Sequence, residues 1–236
     1  MSKGLLGFTA LTLLAFAVLM GLGFWQLERL QWKEGLIAKI EARTKAPPIA
    51  LKDAIAMAEE GSDPSYTRVR VNGRLGHDKE RYWFAVSEGR GGWHVITPFE
   101  TEDGKTVLID RGFVPDRLKD PASRAEGQVE GIVTVTGIVR MPDTQGPFVP
   151  DNEPNANRWF WRDLDAMTLS MFPGDGVKPA PFFLEAEREQ TPGGWPEGGQ
   201  TRLDLPNNHL QYAITWFLLA ACLLVIYGVY VWKARR

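Results

Sequence analysis

Two uncharged apolar segments near the ends of the chain constrain its fold more than any other feature. The first covers residues 5–25 and the second residues 212–232, and neither contains an acidic or basic side chain. Each has about 20 residues, which at about 1.5 Å rise per residue is enough to cross a hydrocarbon core of roughly 30 Å. We therefore expect a transmembrane helix over residues 5–26, a second over residues 209–232, and a domain over residues 27–206 between them.

Charge at the two tips predicts how the chain is oriented. An even number of crossings places both termini in one compartment and the domain in the other. The tips carry only cations, at Lys3, Lys233, Arg235 and Arg236, so all 29 acidic residues lie in the segment between the spans. Because short cationic tips stay in the cytoplasm, we expect a bacterial inner membrane protein with both termini cytoplasmic and the main domain periplasmic.

Two alternatives to this arrangement can be weighed from the sequence. The first span could be a signal peptide cleaved near Ala17, but its apolar character continues to residue 25, which favours a retained helix. The start of the chain also has no Arg- and Ser-rich amphipathic leader of the mitochondrial kind. The acidic body argues against nucleic acid as a partner, whereas membrane lipid is expected to contact both spans.

The domain is predicted to begin with helices and then to change to strands. Apolar residues recur at helical spacing over residues 27–45, which predicts an extension of the first span ended by the prolines at 47 and 48. A short helix is expected over residues 51–60. A second short helix is expected to begin at the cap residue Asp163 and to end at Met171. Residues 141–157 and 189–200, rich in Pro or Gly, are expected to be loops.

Residues 68–75 alternate between polar and apolar side chains without error, as expected for a half-buried strand. Many short strands with few helices predict a barrel or curled sheet. The predicted fold class is thus a membrane-anchored α+β protein, in which two transmembrane helices bracket a periplasmic antiparallel β-barrel-like domain with short helices. The further strands are expected at residues 81–87, 93–99, 106–111, 132–140, 158–162 and 182–187.

The sequence offers few signs of catalysis. It contains one cysteine, Cys222, so a disulfide within the chain is excluded, and its three histidines form no motif with metal-ligand spacing. A Gly-x-Ser-x-Gly elbow, a P-loop and a dinucleotide fingerprint are all absent from it. We therefore expect a protein that is not an enzyme.

His209 stands out because of its place at the start of the second span. Tyr212 and Trp216 follow it by three and seven residues, so a helix places the three on one face. A neutral imidazole at this depth is a suitable axial ligand for haem iron, and Arg29, one turn beyond Trp25, could meet a propionate. The alternative is an ordinary interfacial anchor, because His, Tyr, Trp and Arg all occur in that belt.

Four segments of the chain match a known family in order and spacing. They are LGFWQLERLQWK at residues 22–33, HVITP at 94–98 with VLIDRGFVP at 107–115, NRWFWRD at 157–163, and NNHLQYAITWF at 207–217. On these segments the chain resembles the surfeit locus protein family, membrane-tethered assembly factors of haem-copper terminal oxidases. Phe113 is a mild departure, since the family often has Trp there.

The resemblance implies a role in the biogenesis of cytochrome c oxidase, where haem a enters subunit I. It also implies haem a binding with His209 as iron ligand, and subunit I and haem A synthase as partners. The pocket is then expected to be lined by Trp25, Gln26, Tyr212 and Trp216, with Arg29 or Arg111 neutralising propionates.

Three alternatives remain open from the sequence. In the first, Arg111 braces the barrel through buried hydrogen bonds instead of meeting a propionate. In the second, the chain as a whole is a haem-free scaffold that stabilises an intermediate of subunit I, with His209 as an anchor. An enzyme of haem modification is a third reading, and it would require substrate turnover.

Overall fold

A computed structural model of the chain describes residues 3–87, 89–201 and 205–234. The chain divides into two compact units, one of residues 1–41 and 203–236 and the other of residues 42–202. We call the first the helix pair and the second the barrel domain. Two of the cationic tip residues of the topology prediction, Arg235 and Arg236, lie outside the described residues.

The helix pair consists of α1 (Lys3–Lys45) and α4 (His209–Ala234). Both are long and apolar enough to cross a membrane, over Leu6–Lys45 and His209–Lys233. Helix α1 continues without a break beyond the apolar segment and ends two residues before the Pro47-Pro48 pair, which cannot continue a helix. Two membrane-spanning candidates that flank a folded domain fit a membrane protein.

Small residues let α1 and α4 approach closely. A Cβ atom on Gly23 would lie 2.4 Å from the Phe217 ring, so only glycine leaves room for that ring. Ala213 and Ala220, seven residues apart on α4, are fully buried. Interfaces of this kind are typical of membrane helices, which gain van der Waals contact when their backbones are close.

Further along the pair, a polar contact joins the two helices. The hydroxyl groups of Thr9 and Tyr227 are 2.7 Å apart. The Phe8 ring lies against Tyr230, with 4.7 Å between the ring centroids. The two helices are thus in contact both near Gly23 and near Thr9, and they form one unit.

The barrel domain is a closed five-stranded barrel. Its ring runs β2-β6-β7-β5-β4 and returns to β2 through the β2–β4 pairing, while β1 extends from β2 and β3 from β4. This confirms the predicted barrel-like fold class, with one difference: β5 and β7 are parallel, as are β1 and β2. The elements are β1 (Ile49–Ala50), α2 (Leu51–Glu59), β2 (Arg68–Leu75), β3 (Arg81–Ser87), β4 (Arg90–Thr101), β5 (Thr106–Pro115), β6 (Val133–Arg140), α3 (Leu164–Met171) and β7 (Pro179–Ala186).

Alternation along the strands fills the barrel. Val69 and Val71 of β2 point inward and are buried, while Arg70 between them is exposed, as the period of two predicted. Helix α2 contributes Leu51 and Ala54 to the same core. A second cluster lies where α3 packs on the outside of the barrel, and it includes the fully buried Trp159.

One predicted strand is wrong. Residues 158–162 lie outside the seven strands, although the Trp159 backbone makes single hydrogen bonds with Tyr82 and Phe84 of β3. The segment turns away because Trp159 is buried in the α3 cluster while Arg162 pairs with Asp143 and Glu185. The apolar and aromatic residues of this segment correctly indicated that it is buried. They did not indicate whether it pairs with a neighbouring strand along its length.

The other elements follow the prediction closely. Asp163 caps α3 by accepting a hydrogen bond from the Ala166 amide at 3.0 Å, and the helix ends at Met171 as expected. Strands β4 and β5 are longer than predicted, because Gly and Pro at their ends are paired in the sheet. The two-residue β1 was not predicted, since so short a strand has no period.

Candidate functional site

The central contact of the candidate site joins the two helices of the pair. His209 is the first residue of α4, and its Nδ1 atom lies 2.7 Å from Oε1 of Gln26 on α1. An amide oxygen can only accept a hydrogen bond, so Nδ1 carries the proton and donates it. In a neutral imidazole this arrangement leaves the lone pair on Nε2, the tautomer that a metal ligand requires.

Local structure explains why these two side chains meet. Gln26 lies three residues after Gly23 and thus on the same face of α1, the face that accommodates Phe217. On α4, the Tyr212 amide donates to the Asn208 carbonyl at 3.2 Å, so the first turn of the helix is formed from the residue before His209. Close packing of the helices brings the imidazole and the amide within hydrogen-bond distance.

The predicted aromatic residues lie close to His209 along α4. Tyr212 is 55% exposed, Trp216 is half-buried, and both follow His209 at helical spacing. The exposed Tyr212 ring leaves apolar surface uncovered next to the imidazole. The structure thus supports placing His209, Tyr212 and Trp216 on one side of α4.

Trp25 points about 100° away from Gln26 around α1, whereas Arg29 follows Gln26 by three residues and lies one turn further along the helix. Trp25 is 51% exposed. The Arg29 guanidinium is exposed and lies over the Trp32 ring, 4.4 Å from its centroid. At 100° per residue, the Trp25 side chain leaves α1 on the same side as those of Arg29 and Trp32. It points away from the side on which Gly23 contacts α4. Of the seven predicted site residues, the structure joins His209 and Gln26 directly.

Arg111 lies on β5, inside the barrel domain, and its side chain is 8% exposed. Its Nη1 atom is 3.2 Å from Glu80 Oε1, and its Nη2 atom donates to the Gly127 carbonyl. Burial lowers the pKa of Arg111 to about 10, although the Glu80 charge opposes that shift. These contacts correspond to the brace described as the alternative for Arg111, and its part in propionate binding stays a prediction.

Glu80 is the centre of the buried cluster that holds Arg111. Besides Arg111, it is paired with Arg124 and accepts a hydrogen bond from the Tyr82 hydroxyl at 3.1 Å. Burial on its own raises the pKa of Glu80, but hydrogen bonds to His77 and Arg124 and the two guanidinium charges outweigh it and lower the pKa to about 2. The cluster thus joins β3, β5 and the 121–127 segment through charges.

A second buried network was not foreseen from the sequence. His94 Nδ1 lies 2.7 Å from Asp110 Oδ2, and the Asp110 carboxylate also accepts from the Gly112 amide at 2.9 Å. Glu185 and Arg162 are close enough to influence the pKa of His94. Strand pairing brings these residues together across β4, β5 and β7, and nothing in the local sequence indicates which strands are neighbours.

Comparison with known proteins decides the family. The model of the SURF1 family matches residues 13–221, a range that includes both Gln26 and His209. The chain belongs to the SURF1 family.

Individual SURF1 relatives are similar over most of the chain. Surfeit locus protein 1 of Mus musculus is 40% identical over 225 residues, which cover 89% of this chain and 71% of that protein. The protein of the same name from Homo sapiens is 41% identical and covers 85% and 70%. The one from Takifugu rubripes is 39% identical and covers 94% of both. SURF1 similarity thus extends from the first helix through the barrel domain to the second helix.

Proposed function

We propose that this chain is an assembly factor for haem-copper cytochrome c oxidase that binds haem a and assists its insertion into subunit I. The observation that carries the proposal is the hydrogen bond from His209 Nδ1 to Gln26, which fixes the imidazole with Nε2 free. Membership of the SURF1 family supports the oxidase part of the proposal, because resemblance to the surfeit locus proteins implies an assembly factor of haem-copper oxidases.

The residues of the helix pair suit a haem. Haem supplies an iron atom with axial positions that an imidazole nitrogen can occupy. His209 would be the ligand, Gln26 would orient it, and Tyr212 and Trp216 would lie beside the macrocycle. The exposed guanidinium of Arg29 is available to a propionate, at the cost of its stacking on Trp32.

We further infer a role of relay and not of catalysis. Residues 1–41 and 203–236 contain one histidine, His209, so the proposed pocket would offer the iron a single imidazole. One axial ligand leaves the other face of the iron accessible to a recipient, whereas redox centres of the cytochrome type have two. A carrier needs to shield its cargo and then release it.

The proposed location is the bacterial inner membrane. Both termini would be cytoplasmic and the barrel domain periplasmic, which places His209 at the outer interface. Subunit I is the proposed recipient, and haem A synthase the proposed source. Contact with lipid is expected along the exposed apolar surface of both helices.

Haem content of the purified protein tests the ligand assignment. The full chain, its His209→Ala variant and its Gln211→Ala variant would be purified in detergent from cells that synthesise haem a. Gln211 is an exposed residue of the same turn of α4 and serves as the matched control. We expect a Soret band in the wild type and in Gln211→Ala, and its loss in His209→Ala with the protein still membrane-inserted.

Other results would change the assignment. Equal haem content in His209→Ala and the wild type would remove His209 from the ligand role. A colourless wild-type protein that still copurifies with subunit I would favour the haem-free scaffold, in which His209 serves as an anchor.

A further inference from the structure

The loop between β6 and α3 presents a single aromatic side chain to solvent. Phe148 is 104% exposed, as much as in an extended chain. It lies between Pro147 and Val149, in a stretch from Thr144 to Pro150 without any charge. A large apolar side chain in this position costs solubility and gains no packing within the described structure.

The backbone at Phe148 is also unfavourable for this residue type. The Val149 amide donates to the Gly146 carbonyl at 3.2 Å, so residues 146–149 form a β-turn, with Phe148 as its second central residue at a φ of 65°. Pro at the first central position and positive φ at the second are the features of a type II turn, where the second residue is typically Gly or Asn. Phe148 therefore occupies a position that favours glycine.

Comparison with the other residues of positive φ shows that Phe148 is exceptional. In the described residues three non-glycine residues have positive φ: Tyr66, Phe148 and Asn157. Asn157 uses its side chain to accept from Trp159 and to donate to the Glu80 carbonyl, and Tyr66 stacks against Arg140. In these two cases contacts offset the strain. Phe148 makes no such compensating contact within the part of the chain that the structure describes, so a contact in a complex would have to supply it.

The loop is held in one conformation by polar contacts on both sides of its tip. Asp143 pairs with Arg162 through two hydrogen bonds, at 2.9 and 3.1 Å. Asn152 accepts from the Phe160 amide at 2.8 Å and so fixes the returning arm. At the tip, Gln145 donates to the Val149 carbonyl at 2.9 Å. A braced loop loses little conformational entropy on binding, which favours an anchor for a partner over a mobile tether.

Charge next to the tip indicates the kind of partner. The loop over residues 141–157 contains three acids and no Lys or Arg. Asp143 and Glu153 are paired with Arg162 and Arg158, whereas the Asp151 carboxylate accepts a hydrogen bond from the neutral Gln145 amide at 2.9 Å. Asp151 thus leaves a negative charge three residues from Phe148. An anionic lipid surface would repel it, and a basic protein surface would attract it.

We propose that Phe148 is the anchor of a protein-docking surface, and that its partner is a polypeptide with an apolar pocket bordered by Lys or Arg. The ring would fill the pocket, and Asp151 would face the basic border. Buried aromatic anchors surrounded by polar contacts carry most of the free energy at such interfaces. This surface belongs to the barrel domain and does not depend on haem binding by the helix pair.

Two measurements test the proposal, the first on the full chain alone. Phe148→Gly removes the side chain and relieves the positive φ, so the Tm of the detergent-purified protein should stay constant or rise by about 2 °C. Its haem content should equal that of the wild type, which separates this surface from the proposed function. A fall in Tm of several degrees would mean that Phe148 supports the fold, and the proposal would be overturned.

The second measurement identifies what the tip touches. A photoreactive benzoyl-phenylalanine would replace Phe148 in the full chain, in membranes of cells that contain the oxidase. In a control variant it would replace Leu169, an exposed apolar residue of α3. We expect adducts at position 148 with a different polypeptide, at a peptide that contains Lys or Arg, and a severalfold lower yield with Asp151→Lys. Adducts with lipid or with a second copy, a yield no greater than at position 169, or no effect of Asp151→Lys would each overturn the proposal.

Discussion

At the scale of single residues, the side chain that orients His209 matters to the proposed haem binding as much as the imidazole does. An imidazole can bind iron through either nitrogen, and a fixed acceptor on Nδ1 selects Nε2. In this chain the acceptor is an amide on the neighbouring helix, 183 positions away in sequence. The orientation of the His209 imidazole therefore depends on the contact between α1 and α4, and separating the helices would also release the ring.

Gln26 gives the first prediction. Gln26→Leu removes the acceptor and leaves the imidazole free to change tautomer and to rotate, so we expect haem affinity to fall by about 10-fold or more, as is typical when the partner of a metal-bound His is lost. Gln26→Glu keeps an acceptor at the same position and should retain binding. Haem titration of the purified full-length variants, followed by absorption, measures both. Equal affinities for Gln26→Leu and the wild type would show that the ring needs no orienting partner.

His94 gives a prediction on pH dependence in the barrel domain. Burial lowers the pKa of His94, but the charge and hydrogen bond of Asp110, with help from Glu185, more than offset this, so its pKa is raised above the ordinary 6.5. The protonated pair therefore stabilises the fold fully below about pH 6.5, and this contribution is lost as pH rises through the folded-state pKa. The Tm difference between the wild type and His94→Gln should be largest near pH 6 and shrink towards pH 9. A difference independent of pH would show that His94 is neutral in the fold.

Glu80 gives a third prediction at this scale. Its carboxylate is almost fully buried between Arg111 and Arg124, so Glu80→Ala would leave two guanidinium groups buried without their partner. Loss of one member of a buried ion pair costs about 3–5 kcal/mol. We expect a loss of that size in the free energy of unfolding, or failure of the domain to fold. Glu100→Ala, at an exposed position of β4, is the control and should change little.

At the scale of elements, periodicity and caps predicted most of the fold. The alternation in β2, the proline pair after α1 and the Asp163 cap each act within a few residues, and each is found as expected. Residues 158–162 were predicted wrongly because burial of Trp159 depends on α3, which the segment itself does not reveal. Closure of the ring through β2 and β4 is equally non-local, as it joins residues about 25 positions apart.

The helix pair shows the same limit for the site. Helical spacing within α4 placed His209, Tyr212 and Trp216 together, because that relation is local. Which face of α1 meets α4 is decided by Gly23 and Phe217, and the sequence placed Trp25 and Gln26 in one pocket without distinguishing their faces. Adjacent residues on a helix point about 100° apart, and of these two Gln26 is the one that is hydrogen-bonded to α4.

Gly23 gives the prediction at this scale. Gly23→Val would put side-chain atoms where the Phe217 ring lies, so α1 and α4 must move apart and the hydrogen bond from His209 to Gln26 should be lost. Gly21→Val is a matched control, since a Cβ on Gly21 has nothing within 4 Å. We expect haem content to fall in Gly23→Val, to stay normal in Gly21→Val, and to recover in Gly23→Val combined with Phe217→Ala. Equal haem content in the two single variants would contradict the role of this close contact.

At the scale of the whole molecule, charge and chemistry are divided between the two units. The helix pair has the histidine with a free nitrogen and a largely apolar surface, whereas the barrel domain has the buried ion clusters and the exposed Phe148 loop. The proposed binding of haem and the proposed recognition of a partner thus belong to different units. Variants in one unit should affect one property and spare the other, as haem content and cross-linking can measure separately.

The orientation of the chain in the membrane gives the last prediction. Cations at both tips and a net acidic domain predict that the tips remain in the cytoplasm while the domain is exported. In a Cys222→Ser background, Asn155→Cys, at an exposed loop position, should react with a membrane-impermeant maleimide in spheroplasts, and Ser2→Cys should react only after the membrane is broken. Because Cys222 is the single native cysteine, no other thiol competes. Labelling of Ser2→Cys in intact spheroplasts would reverse the topology and would place His209 on the cytoplasmic side, away from the compartment proposed for haem transfer.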